Sequence, residues 1–398
     1  MNTRDIGRAQ VFAFSLLALA LAGCRTHDFP TYDANYREYA YVTNGGSGTV
    51  TVLDVVNVRV DRELPVGQNP VAVAASPTRN EVYVVNSGAA GSQGSLSVID
   101  AENNTVVATI PMHRQPVSID IDGEGKLAYV ANTGSNSISV VDLKSRREVA
   151  QIGAGEDPVA VRLSPDGKTL AVANRKGNSL SLIDPKGLTV RSVFADCPGA
   201  ADVVMMADSS KAFVACSAGH QVMSVALAKA SQPTSSQAGV AAAIPAHPDR
   251  LETFMDVGRG PVQLALKPDG GEVFVVNSVS NSISEVITGT NDVQGASMMG
   301  DNPVSGLVSR DNALLYVSNL HSQNVIVYSI NDGKRAGWVH VGDGPSALAF
   351  SAAGNLLFVV DARSGDVAVV RTASSTLFTL LQTGRNPNAI VDKSFTVR

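Results

Sequence analysis

The chain has 398 residues and a net charge of −5, a balance that argues against the basic surface a nucleic-acid-binding protein would usually show. Hydrophobic residues make up 44% but aromatics only 5%, so small and β-branched side chains must fill the core. Glycine (35) and proline (18) are frequent enough to serve many tight turns.

The N-terminus has the form of a targeting segment. Arg4 and Arg8 precede the apolar run from Val11 to Leu21, which is too short to span a bilayer as a permanent helix. Leu21-Ala22-Gly23-Cys24 follows and resembles a bacterial lipobox. That resemblance implies cleavage before Cys24 and a lipid on its thiol, with Arg25 in the next position implying transfer to the outer membrane. Residues 1–23 are therefore expected to be a lipoprotein signal peptide, and 24–38 the lipidated cysteine and a flexible tether. The membrane is then a partner through an anchor, not through a spanning segment.

From residue 39 to 398 the sequence repeats itself, and a single domain is expected. A V-x-N ending recurs at Asn44, Asn86, Asn132 and Asn174, with Cys216, Asn277, Asn319 and Asp361 in the later positions. The intervals are 42, 46, 42, 42, 61, 42 and 42 residues. A second landmark, G-x-x-P, keeps the same beat at Pro70, Pro116, Pro158, Pro261, Pro303, Pro345 and Pro387, with Ala200 in the remaining position. A period near 42 with four strand-length runs per unit is the signature of a propeller blade. Period-2 alternation in Thr49-Val50-Thr51-Val52-Leu53 and in Ser137-Ile138-Ser139-Val140-Val141 assigns these runs to strands, and helix content is expected to be close to nil.

We name the strands of each unit a (after G-x-x-P), b (ending in V-x-N), c and d. In the first complete unit they are expected at Val71–Ala75, Glu81–Val85, Ser95–Asp100 and Thr105–Pro111. The a–b turns are written by Ser164-Pro165-Asp166-Gly167 and Lys267-Pro268-Asp269-Gly270. Two units carry insertions, one at Ser87–Gly94 and one of low complexity at about 229–248, expected as a surface loop between c and d. The ends of the chain complete each other. Tyr39–Thr43 opens a unit that has only b, c and d, and Asn388–Asp392 is an isolated a strand. Joining them gives an all-β, eight-bladed propeller closed by three N-terminal strands and one C-terminal strand.

Tyr41-Val42-Thr43-Asn44, the S-N-x-I/V-x-V-I/V-D runs and G-x-x-P-x-x-V/I/L resemble the YVTN-type β-propeller repeat family across residues 39–398. Members are extracytoplasmic or surface proteins commonly described with seven blades, so seven is the alternative to the eight counted here. The wider group includes lactonases, quinoprotein-like enzymes and the eight-bladed haem d domain of a nitrite reductase. A shared fold alone does not choose among them.

The d–a and b–c connections are expected on one face, around the central channel. There the G-x-x-P loops supply His113, Arg114, Glu156, Asp157, Arg259, Asp301, Asp343 and Arg385, a mixed ring on a constant framework. Arg114, Arg259 and Arg385 have the guanidinium geometry to grip a carboxylate or phosphate. The repeated Asn of V-x-N reads as structural, organising the b–c turn by left-handed backbone and a bond to its own main chain. His113, His220 and His321 fall in loops of different units, but no H-x-x-x-H, H-E-x-x-H or C-x-x-C-H spacing is present, so neither metal nor cofactor is expected. No G-x-S-x-G elbow marks a hydrolase serine, and no catalytic residue can be named. Cys197 replaces the Gly of G-x-x-P and Cys216 the Asn of V-x-N in the same unit, a paired departure that suggests a disulfide.

The reading that follows is a monomeric, lipid-anchored cell-envelope scaffold that binds a protein or small-molecule ligand through this face. The alternatives are a propeller enzyme, lactonase-like or quinoprotein-like, and a haem-binding propeller.

Overall fold

In a computed structural model, residues 30–228 and 248–397 are described; the signal segment, Cys24 and residues 229–247 of the low-complexity insertion lie outside them. The unit Asn35–Arg398 contains eight four-stranded antiparallel sheets. Blade 1 is built, in the sheet order a-b-c-d, from Pro387–Thr396, Tyr36–Asn44, Thr49–Asp54 and Arg59–Pro65, so the two ends of the chain share one sheet. Blades 2 to 8 follow in chain order, with strands a at Pro70–Ala75, Pro116–Ile121, Pro158–Leu163, Ala200–Met205, Pro261–Leu266, Pro303–Val308 and Pro345–Phe350. Eight blades stand, and seven do not. The one helical element among the described residues is a single 3₁₀ turn, Thr133–Ser135.

The sequence pattern explains where the core sits. Strands b and c are buried almost throughout, as in Glu81–Asn86 and Ser137–Asp142, because each of their faces meets a neighbouring blade. Apolar clusters therefore form between blades, not within one. Tyr41, Val50 and Val52 of blade 1 pack on Val82, Val84 and Ile99 of blade 2, and Phe274 of blade 6 packs on Leu315, Val317 and Tyr328 of blade 7. In all eight blades the register between strands c and d slips, for example between Val52 and Leu53 or Val369 and Val370, and in blade 2 it slips a second time between Gln93 and Ser95. Such a bulge strengthens the twist that fans the outer strands away from the axis.

Three details depart from the sequence reading. Strand b of blade 1 starts at Tyr36, not Tyr39, because strand a of that blade runs on to Thr396 and pairs Tyr36 with Thr396 and Glu38 with Ser394. Strand d of blade 2 runs on to Arg114, where Gln93 pairs with it, so His113 and Arg114 end a strand instead of forming a free loop. The V-x-N asparagine works by a different bond. Asn132 has extended backbone (φ −108°), and its amide crosses the b–c hairpin to donate to Ser139 at 2.9 Å. Asn86 likewise donates to Ser95 and Ser97, and Asn174 to Ser179 and Ser181. Hydroxyls on strand c thus satisfy a buried amide nitrogen that would otherwise be costly.

The same asparagine explains its companion glycine. A Cβ on Gly67 would lie 2.6 Å from Asn86, and one on Gly155 would lie 2.6 Å from Asn174. In blade 5 both positions change together, and Cys197 and Cys216 are joined as a disulfide, wholly buried.

Candidate functional site

The face that carries the d–a and b–c loops is assembled by one motif used eight times. That motif is the G-x-x-P turn of the d–a loop, whose last residue is the Cα partner of the V-x-N position. The second x residue has positive φ in every blade: Asn69, Gln115, Asp157, Gly199, Gly260, Asn302, Gly344 and Asn386, between 51° and 73°. Only glycine and short polar side chains take this region readily, which accounts for the prevalence of Gly, Asn and Asp there. Its carbonyl accepts the N–H of the residue after V-x-N in all eight blades, as in Ser87 to Asn69 (2.8 Å) and Ala362 to Gly344 (2.8 Å). The d–a and b–c loops of each blade are therefore locked together.

The lock turns the first x residue outward. Those residues are Gln68, Arg114, Glu156, Pro198, Arg259, Asp301, Asp343 and Arg385, and six of them are exposed, Pro198 and Asp343 being partly covered. Their carbonyls are held as well, by N–H groups of Gly88, Gly177, Ala218, Val279, His321, Arg363 and Gly46 in seven of the blades. The result is a ring of side chains on a stiff backbone. Its formal charges balance: Arg114, Arg259 and Arg385 against Glu156, Asp301 and Asp343.

The structure separates these residues into two groups. Several acids are matched by a base on the b–c loop of the same blade. Asp157, buried at its left-handed position, receives both Nε and Nη2 of Arg175 at 3.0 Å. Asp343 faces Arg363 at 3.5 Å, and Asp301 faces His321 at 3.8 Å. His113 is drawn to the outer side, where its Nε2 lies 3.1 Å from Glu148 of blade 3. Arg114, Arg259 and Arg385 make no ion pair with the described residues. They stand at the junctions of blades 2 and 3, 5 and 6, and 8 and 1, spread around the ring, so they do not form a single three-pronged clamp. Arg385 instead shares a polar recess of about 590 Å³ at the closing seam with Arg363, Glu63, Ser47, Ser364 and Asn386.

Arg175 and Arg363 are the functional-face residues that sequence reasoning passed over. Both follow the V-x-N position by one or two residues, so the b–c loop deserved the same reading as G-x-x-P. Among the described residues no three His, Cys, Asp or Glu side chains converge as a metal site. His220 Nδ1 lies 3.1 Å from the Ser217 carbonyl and 3.2 Å from the Gly260 N–H, and so belongs to loop structure in blades 5 and 6.

Comparison with known proteins agrees with the architecture. A family model described as Lactonase, 7-bladed beta-propeller, matches residues 252–390, from strand d of blade 5 to the start of the last strand. No curated protein matches. Among solved structures, hydrazine synthase of Kuenenia stuttgartiensis is similar at 21% identity and a TM-score of 0.56, over 84% of this chain and 92% of that one. Dihydro-heme d1 dehydrogenase NirN, solved in complex with DHE, gives a TM-score of 0.70 at 15% identity, over 94% and 78%. AztD from Citrobacter koseri gives 0.67 at 12% identity, over 90% and 98%. At these identities the likeness is one of fold.

Proposed function

We propose that this β-propeller is a cell-envelope binding module, tethered to the membrane by a lipid on Cys24, that recognises a partner protein through its ring of loop residues. The observation that carries the reading is the constancy of the backbone lock against the variety of what it presents: eight positions held alike, bearing Gln, Arg, Glu, Pro, Arg, Asp, Asp and Arg. Rigid positioning lowers the ordering cost of association. Interleaved charges of both signs suit a complementary protein face, where they set specificity and association rate.

The test is capture from envelope extracts with the wild-type chain and with Arg259→Glu and Arg385→Glu combined. The reading expects a partner retained by the wild type and lost, by about tenfold or more, in the double variant, because like charges brought opposite cost several kcal/mol. An unchanged set of captured proteins would remove the ring from consideration. A second reading, a propeller enzyme acting on a small molecule, draws support from the lactonase-family match over residues 252–390. Turnover of a lactone panel by the purified protein would favour it over the scaffold.

A further inference from the structure

The innermost strands border an open recess of about 390 Å³, lined by seven of the eight strands a. Its wall is divided. Blades 3 to 6 contribute Ser118, Arg162, Asp202 and Gln263, whereas Ala389, Ala72, Val73 and Val304 come from blades 1, 2 and 7. The polar lining side chains thus all come from blades 3 to 6, where they alternate with apolar ones such as Val117, Val159 and Val262, and the lining from blades 1, 2 and 7 is wholly apolar.

Most of these polar side chains have a structural reason. Strand a is an edge, and N–H groups on its inner side have no ladder partner. The preceding blade supplies acceptors. Asp120 Oδ2 accepts from Leu163 N–H at 2.7 Å, Asp202 Oδ2 from Leu264 N–H at 3.0 Å, and Gln263 Oε1 from Gly306 N–H at 2.8 Å. Each aspartate also accepts a bond from the next residue of its own strand, Ile121 or Val203.

Arg162 has no such reason. Its Nη1 donates to the Val161 carbonyl at 2.9 Å, and it forms no ion pair with a described carboxylate. Asp120 and Asp202 on the flanking blades feel its charge, but burial raises both above the ordinary carboxylate range and their oxygens are engaged by backbone N–H groups instead of the guanidinium. A half-enclosed guanidinium with free donors, facing an apolar wall across a recess of this size, is the arrangement of a small-molecule site.

We propose that the channel binds an amphipathic organic carboxylate, its head on Arg162 and its apolar body against Ala72, Val73, Val304 and Ala389. This site is separate from the loop ring and stands or falls without it. The experiment is calorimetric titration of the purified full chain with octanoate, 1-octanol and octylammonium. Octanoate is expected to bind once per chain and more tightly than either other probe. Arg162→Met is expected to weaken octanoate by about tenfold or more, the cost of a lost charge-assisted pair, while leaving 1-octanol unchanged. Ala389→Phe, which fills the apolar wall, is expected to weaken both. Should Arg162→Met fail to fold, Arg162→Lys replaces it, with octanoate weakened several-fold because the two-pronged contact is lost. Absence of octanoate binding, equal binding by the Arg162 variant, or preference for octylammonium would overturn the proposal.

Discussion

Asp361 occupies the V-x-N position of blade 8, where six other blades have asparagine, and it is wholly buried. Its Cα partner on strand c, a hydroxyl residue in five of the eight blades, is here Asp366, also buried. One oxygen of Asp361 accepts the Gly342 N–H at 2.9 Å, but the second carboxyl offers no donor unless a proton is shared. Burial first, and then the neighbouring Asp366, push Asp361 up to about 8. The folded chain keeps a proton that the unfolded chain releases near pH 4, so this group costs stability progressively as pH rises from about 4 to about 8 and no more above that. Asp361→Asn restores the repeat's usual residue and supplies the missing donor. It is expected to stabilise the protein by about 1–3 kcal/mol at pH 8 and to flatten the decline, read from urea unfolding at pH 5 and pH 8. Equal slopes for the two proteins would show that Asp361 carries no extra proton.

At the scale of the hairpin, blade 5 shows what the Gly–Asn pair does by replacing it with a covalent bond. Elsewhere the asparagine side chain fills the space a Cβ would need on the glycine, with contacts of 2.6 to 2.7 Å at Gly67, Gly155, Gly258 and Gly300. Cys197 therefore cannot coexist with an asparagine at 216. Cys216→Asn alone is expected to lose the cross-link and gain a clash. Cys197→Gly with Cys216→Asn should lose only the cross-link, worth about 3 kcal/mol for a loop of this length. Thermal unfolding decides it: the double variant should melt above the single one, and the reverse order would mean that the two positions are not exchangeable between blades. The stem of the low-complexity insertion in the same blade is fixed as well. Asp249 is bound by Arg191 through Nε at 2.6 Å and Nη2 at 2.8 Å, and it accepts the Ala228 N–H at 2.8 Å, so the two ends of the insertion are tied together.

At the scale of the ring, everything depends on the blade that the two ends of the chain build jointly. Its seam contains a buried acidic pair. Glu38, on strand b, accepts the Tyr36 hydroxyl at 2.6 Å and the Ala352 N–H at 2.7 Å. Asp392, on strand a, is pushed up to about 9 by burial and by Glu38. The folded state again holds a proton that the unfolded state gives up, so closure weakens as pH climbs from about 4 to about 9. Glu38→Gln removes the repelling charge and should make that decline shallower, measured as the difference in unfolding midpoint between pH 6 and pH 9. A difference equal to that of the wild type would exclude the pair as its source. Lys393 limits the cost of the seam by donating to the Ser76 carbonyl at 2.8 Å, a tie from blade 1 to blade 2.

The sequence by itself determined what is local or periodic. Alternation of period two, turn residues at fixed offsets and the 42-residue beat specify strands, hairpins and the number of blades, and three orphan strands at one end with one at the other specify closure. It also brought together the top-face loops and the Cys197–Cys216 coincidence, because both are written at landmark positions. Only the tertiary structure decided what crosses from blade to blade or from loop to loop. That Asp157 is occupied by Arg175, that His113 turns outward to Glu148, and that Asp120 caps Leu163 depend on how far each blade is rotated from the next. The confinement of the channel's polar side chains to blades 3 to 6 has the same origin. These residues lie a full repeat apart in the chain and meet only because the ring brings eight inner edges to one axis, a distance and an angle that no single repeat encodes.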